Sequence, residues 1–189
     1  MYFIFHCDLL KWRKGIIQAW AARSIPYQAI KPHWWLAKPL VNPFPHLEFL
    51  VNSQAPLLDN FFTGTTLDLY SSRLIEIIRF AGVQFETFPT TVLDVVTRKP
   101  LPYEYKLFHL LEIYPSIDWE RSKLESEGLS IKKIEKLVLN EKCLSSGKLL
   151  FRISEMKGKI LIHQDLKAIF DKENIIGCNY IPIEQYQLL

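Results

Sequence analysis

Few side chains in this sequence are of types that do chemistry, and their spacing is the first question. Five histidines, His6, His33, His46, His109 and His163, invite a metal or general-base reading. His109 falls inside an apolar run, where a hydrogen-bonded core histidine competes with a ligand. His163 stands two residues before Asp165, at a helix start that its ring can cap. Asp118/Glu120 and Glu125/Glu127 have the spacing of a general acid and base, yet carboxylates at a helix N-terminus are equally explained by the backbone dipole. Serines 71, 72, 145 and 146 lack a Gly-x-Ser-x-Gly elbow, and there is no GxxxxGK loop or GxGxxG turn. With seven glycines, loops that cradle phosphate are not expected. Three cysteines, Cys7, Cys143 and Cys178, form neither CxxC nor a zinc spacing, so free buried thiols in a reducing compartment are expected. The residues give no positive case for catalysis, for a metal or for a cofactor.

The elements that must position these groups are clearer. The chain has 189 residues, 49% of them apolar and 23% charged, a globular balance. That length buries roughly 70% of the unfolded surface without staples. A net charge of +3, from 23 basic and 20 acidic residues, is too even for a nucleic-acid face. The lysines at 132, 133, 136 and 142 alternate with Glu135 and Glu141. The apolar start meets Asp8 with no basic residue ahead of it, unlike a signal peptide, and no run nears the roughly 20 apolar residues of a membrane span. A cytoplasmic protein is expected.

Lys148 to Ile183 is the best-defined stretch. Leu149, Phe151 and Ile153 alternate with Leu150, Arg152 and Ser154, a strand with one buried face. Met156 to Lys159 makes a turn with a glycine, and Ile160 to Ile162 returns. Gln164 to Glu173 is a helix with Leu166, Ile169 and Phe170 on one side. Asn174 or Gly177 ends it, and Tyr180 to Ile183 resumes extended chain, its proline suited to a sheet edge. Upstream, Ser71-Ser72 offers an N-cap to a helix with Leu74, Ile77, Ile78 and Ala81 on its stripe and Gly82 at its end. Tyr103 to Tyr114 is apolar on both faces and reads as the longest, doubly covered strand. Val83 to Phe88 and Thr90 to Val96 read as two strands around Pro89, and His46 to Asn52 as another. Leu9 to Arg23 has helical spacing interrupted by Gly15, and Ser24 to His46 is an arm of five prolines with Trp34 and Trp35 between them. Those tryptophans either pack on the body or meet a partner. The expected fold class is α+β: a mostly antiparallel sheet with a few helices and a C-terminal strand-turn-strand-helix-strand unit, residues 1–46 forming a strand and arm and 47–189 the main domain.

Three segments together resemble an immunity-protein family of bacterial polymorphic-toxin systems, the eleventh of the numbered Imm families. They are the capped helix Leu69 to Gly82 with the strand Val83 to Phe88; the strand from Tyr103 through Ser116-Ile117-Asp118-Trp119-Glu120-Arg121-Ser122; and Leu149 to Glu155 with the strand, helix and Gly177-Cys178-Asn179-Tyr180-Ile181-Pro182 after it. The resemblance spans roughly residues 47 to 186 and carries no catalytic signature. It implies a cytoplasmic antitoxin, not an enzyme, that binds the toxin domain of a secreted antibacterial effector in interbacterial competition and blocks its active site or substrate groove. A nuclease is the expected target. Inhibiting one calls for carboxylates against its basic site, which makes Asp118, Glu120, Glu125 and Glu127, with Trp119 as anchor, the first candidate toxin-binding surface. Trp34 and Trp35 on the arm are the second. The competing reading is a small-molecule-binding protein or enzyme with a cleft around His109.

Overall fold

A computed structural model of the chain describes residues 1–8, 19–22, 34–40, 44–54, 56–65, 67–128, 130–156 and 158–188. Most of the helix expected at Leu9 to Arg23, and of the arm with Pro26, Pro32, Pro43 and His33, lies outside them. Within that helix span Trp20 and Ala21 are extended, not helical.

Two sheets carry the architecture, and their strands are mostly antiparallel, as expected of an α+β chain. The larger joins β2 (Trp20–Ala21), β3 (Leu47–Val51), β6 (Phe85–Asp94), β7 (Tyr105–Leu110), β5 (Asp68–Ser71) and β4 (Asn60–Phe62), in that spatial order. The smaller joins β13 (Cys178–Pro182), β1 (Tyr2–Cys7), β12 (Ile160–His163), β11 (Leu150–Ile153) and β8 (Ile113–Tyr114). A separate hairpin pairs β9 (Lys123–Glu127) with β10 (Ser130–Lys136). The N-terminal strand β1 is inserted between two C-terminal strands, with Phe3 opposite both Ile162 and Pro182. The first residues are therefore part of the main body. Pro182 lies on the edge strand, where a missing donor costs no ladder bond.

The core is layered. On one face of the larger sheet, Phe49, Leu69, Leu107 and Phe88 pack with Trp34, which has no exposed surface. On the other, Tyr70, Phe108 and Leu110 meet the helices α1 (Ser72–Phe80) and α3 (Gln164–Lys172) and the inner face of the smaller sheet, Phe5, Leu150, Ile160 and Ile162. The outer face of the smaller sheet, with Tyr2, Ile4, Phe151 and Leu161, packs under the hairpin through Ile134 and Leu124 and near the short helix α2 (Glu141–Leu144) through Cys143. No helix among the described residues is long and apolar enough to cross a membrane.

The local chemistry explains several boundaries. Ser71 caps α1, its Oγ accepting from Leu74 N at 3.2 Å, and Gly82 closes it at φ +72°, a conformation that glycine adopts freely. His163 caps α3, its Nδ1 accepting from Asp165 N at 3.4 Å. The stripe of α3 is narrower than expected: Leu166 and Phe170 are buried while Ile169 is exposed.

Three expectations need correction. β6 runs unbroken through Pro89, because residues 85–89 pair with β7 and residues 90–94 with β3; the proline stands where one ladder hands over to the other. The apolar run from Tyr103 is not a single strand. β7 ends at Leu110 and the chain crosses at Leu111–Glu112 into the other sheet, where β8 pairs in parallel with β11. β11 is buried on both faces, Arg152 included, because the larger sheet covers the side that alternation assigns to solvent.

Among the described glycines, Gly177 makes the closest approach to a neighbouring segment. It has φ +88°, and a Cβ there would stand 2.6 Å from Asn60 O and 2.8 Å from Leu58 Cβ. Gly147, at φ +66°, has open space around the same position. Gly147→Ala is therefore expected to cost only left-handed strain, about 1–2 kcal/mol, and Gly177→Ala to cost that plus a steric term of about 1–3 kcal/mol. Equal losses in urea denaturation would mean that the approach to Asn60 is not a constraint.

Candidate functional site

The acidic stretch forms a turn followed by a hairpin, not a helix N-terminus. Asp118 Oδ1 accepts from Glu120 N at 3.1 Å and Arg121 N at 2.9 Å, an Asx-type arrangement that fixes the turn. Its main chain is held as well, Asp118 N donating to Val138 O at 2.9 Å. Ser116 N and Ile117 N, just upstream, donate to the Glu155 carboxylate at 3.0 and 3.1 Å. Asp118 is thus committed to structure, and its ion pair with Arg121, at 3.9 Å and largely solvated, adds little.

Trp119 sits on this fixed turn with 51% of its surface exposed. Glu120 beside it is exposed and has no ion-pair partner among the described residues. Glu125 and Glu127 lie on β9, and the facing strand neutralises them: Lys133 is 3.4 Å from Glu125 and Lys132 is 3.2 Å from Glu127. Lys133 also holds Glu135 at 2.8 Å, and both carboxylates push the Lys133 ammonium above its ordinary range. From Asp118 to Lys136 five carboxylates face five basic side chains. The block is charge-balanced in space, although its acids cluster in sequence.

Of the alternatives open for the arm and His109, the structure shows packing at Trp34 and His109. Trp34 is buried and stacks on His109, ring centroids 4.5 Å apart at 28°. The His109 ring is itself fully buried, with Nε2 2.9 Å from Lys38 O. Both side chains are fully buried, so neither offers a surface. Trp35 is only partly buried, and it lines two adjoining open cavities.

The larger of these, about 330 Å3, lies between the sheets. At its wall Arg152, 3% exposed, donates from Nη2 to Asp68 Oδ2 at 3.0 Å. Arg152 Nε has no partner among the described residues, and a buried donor left so costs about 1–3 kcal/mol. Asp68 keeps 26% of its side chain accessible, because the carboxylate borders the cavity. Burial lifts this carboxyl above its ordinary pKa, and Arg152 partly offsets the rise. Burial also pushes the Cys7 thiol up to about 12 and lowers the pKa of His6, so both are neutral at pH 7. No group of three or more His, Cys, Asp or Glu side chains suited to a metal occurs among the described residues.

No protein-family model matches the chain, and no curated protein matches it. The turn and the cavity therefore stand on their own geometry. Sequence reasoning missed the Asp68–Arg152 pair, and the available signal was a charge flanked by Phe151 and Ile153 in a strand otherwise fit for burial.

Asp118→Ala removes the acceptor of two turn N–H groups. It is expected to lower Tm by roughly 2–4 °C, the equivalent of about 1 kcal/mol in a chain of this size, while Asp118→Asn, which keeps an acceptor oxygen, largely preserves Tm. Equal losses for both in thermal denaturation would place the rigidity of the turn elsewhere.

Proposed function

We propose that this is an immunity protein that binds and neutralises the toxin domain of a cognate secreted antibacterial effector, with the Trp119–Glu120 turn and the adjoining β9–β10 hairpin as its docking face. The observation that carries the reading is Trp119, half-exposed on a turn whose backbone is tied down from three sides. A large aromatic held rigid before contact loses little conformational freedom on binding, which is the character of an interface anchor. Around it the hairpin supplies the mixed-charge rim usual for protein–protein contacts. The sequence resemblance gives the same class of partner.

The charge pattern narrows the mode of inhibition. A net-neutral block does not imitate a phosphate backbone, so steric occlusion of the toxin's active site or substrate groove fits this surface better than electrostatic mimicry. A nuclease toxin remains the proposed target, and it would be blocked by shape. Standard interfaces of this kind bury about 1,600 Å2 in total, so the turn would be the centre of a wider contact.

The test uses the C-terminal domain of the protein encoded beside this chain's gene, which this reading expects to be the toxin. The wild-type protein is expected to bind it and to rescue cells that express it. Trp119→Ala is expected to weaken binding at least ten-fold, about 1.4 kcal/mol, with Tm unchanged, and Glu120→Lys to weaken it less. Absence of binding by the wild type would defeat the immunity reading. Full affinity in Trp119→Ala would defeat this choice of surface.

A further inference from the structure

We propose a second site: the cavity between the two sheets binds a small aromatic acid, its anionic group held by Arg152 and Lys159 and its ring set among Trp35, Phe62 and Tyr186. The cavity of about 330 Å3 continues past Trp35, Gly158, Lys159 and Tyr186, which line both spaces, into a second of about 310 Å3. Each alone is at the lower end of the range for small-molecule sites, roughly 300–1,000 Å3, and together they accommodate a ring with a substituent.

The polar groups define the ligand's charge. Arg152 is buried and lines the cavity, and among the described residues its guanidinium bonds to Asp68 alone, through Nη2. Lys159 is partly buried, has no ion-pair partner among the described residues, and holds its ammonium 5.7 Å from the Tyr186 ring centroid. Asp68 is the carboxylate on the wall. Glu155 borders only the second space, where its carboxylate accepts from Ser116 N and Ile117 N, so the positive charge in excess is local to the first space, where Arg152 and Lys159 stand with Asp68 as the one carboxylate among the described residues. His6 does not add to it, since burial lowers its pKa and outweighs the Cys7 carbonyl, 2.6 Å from Nδ1, which favours the protonated ring. The aromatic walls favour a flat body, and the cations favour a carboxylate or phosphate upon it.

This site is remote in role from the Trp119 turn and is tested without a toxin. Isothermal titration of the full chain is carried out with benzoate, indole-3-carboxylate, phenyl phosphate and neutral benzamide. The aryl acids are expected to bind at least ten-fold more tightly than benzamide, and the tighter of carboxylate and phosphate identifies the head group. Lys159→Gln, at a partly exposed position that leaves the fold intact, is expected to weaken the acids about ten-fold and to leave benzamide unchanged. Arg152→Lys is expected to do the same where it folds. No binding by any acid, benzamide binding as well as benzoate, or unchanged acid affinity in Lys159→Gln would overturn the proposal and leave a cavity filled with water.

Discussion

The carboxylate of Asp59 is the joint on which the arrangement of the two sheets depends. It is buried, and it gathers three segments distant in sequence. Oδ1 accepts from Ser71 Oγ at 2.6 Å, Oδ2 from Arg73 Nη2 at 2.6 Å and from Ile176 N at 3.0 Å. Ser71 in turn caps α1, and Arg73 reaches the carbonyls of Glu173 and Asn174 at 3.3 Å. One side chain thereby fixes the start of β4, the N-terminus of α1 and the link from α3 to β13. The main chain repeats the join, with Asp59 N donating to Ile176 O at 2.9 Å. With Arg73 Nε also donating to Oδ1 at 3.3 Å, four charge-assisted bonds converge on one buried carboxylate and are strong because few water molecules compete for it. The bare Cα of Gly177 is what lets the link come so close to Asn60.

With the sheets fixed in this way, the layer between them has a set depth, and its contents follow. Where Phe108, Ile160, Leu166 and Phe170 meet, the depth is filled. Toward β4 and the end of β1 it is not, and Asp68 and Arg152 span the gap. A buried ion pair is weak support for stability, and this one leaves guanidinium donors unused. Its position is better explained by a polar occupant than by the needs of folding. The outside of the body is fixed for a related reason: the hairpin and the Asp118 turn rest on the outer face of the smaller sheet, so Trp119 is displayed on a firm support.

Much of this was legible in the residues, and the failures share one cause. α1 could be placed from Ser71 to Gly82 because its cap, stripe and terminator are local. The β11–β12–α3–β13 unit followed from alternation, a helix spacing and Pro182 in the same way. β7 is covered on both faces, as the apolar residues on its two sides imply. Long-range geometry was not legible. Arg152 alternates like a solvent-facing residue until a second sheet covers it, and Asp59 meets Ile176 across 117 positions of sequence. The acids of 118–127 look like a negative patch until β10 brings its lysines against them. Trp34 and Trp35 are neighbours in sequence but part company in space, one in the core and the other at the cavity, and nothing in a proline-rich arm distinguishes them.

The central functional claim is that a rigid turn and hairpin, and not the interior, meet another protein. Amide hydrogen exchange of the full chain, alone and with the C-terminal domain of the protein encoded by the neighbouring gene, tests this directly. The account predicts slowed exchange at residues 116–127 and 130–136, with β1 and β5 unchanged. Protection confined to the strands around the cavity, or to a face remote from Trp119, would contradict it.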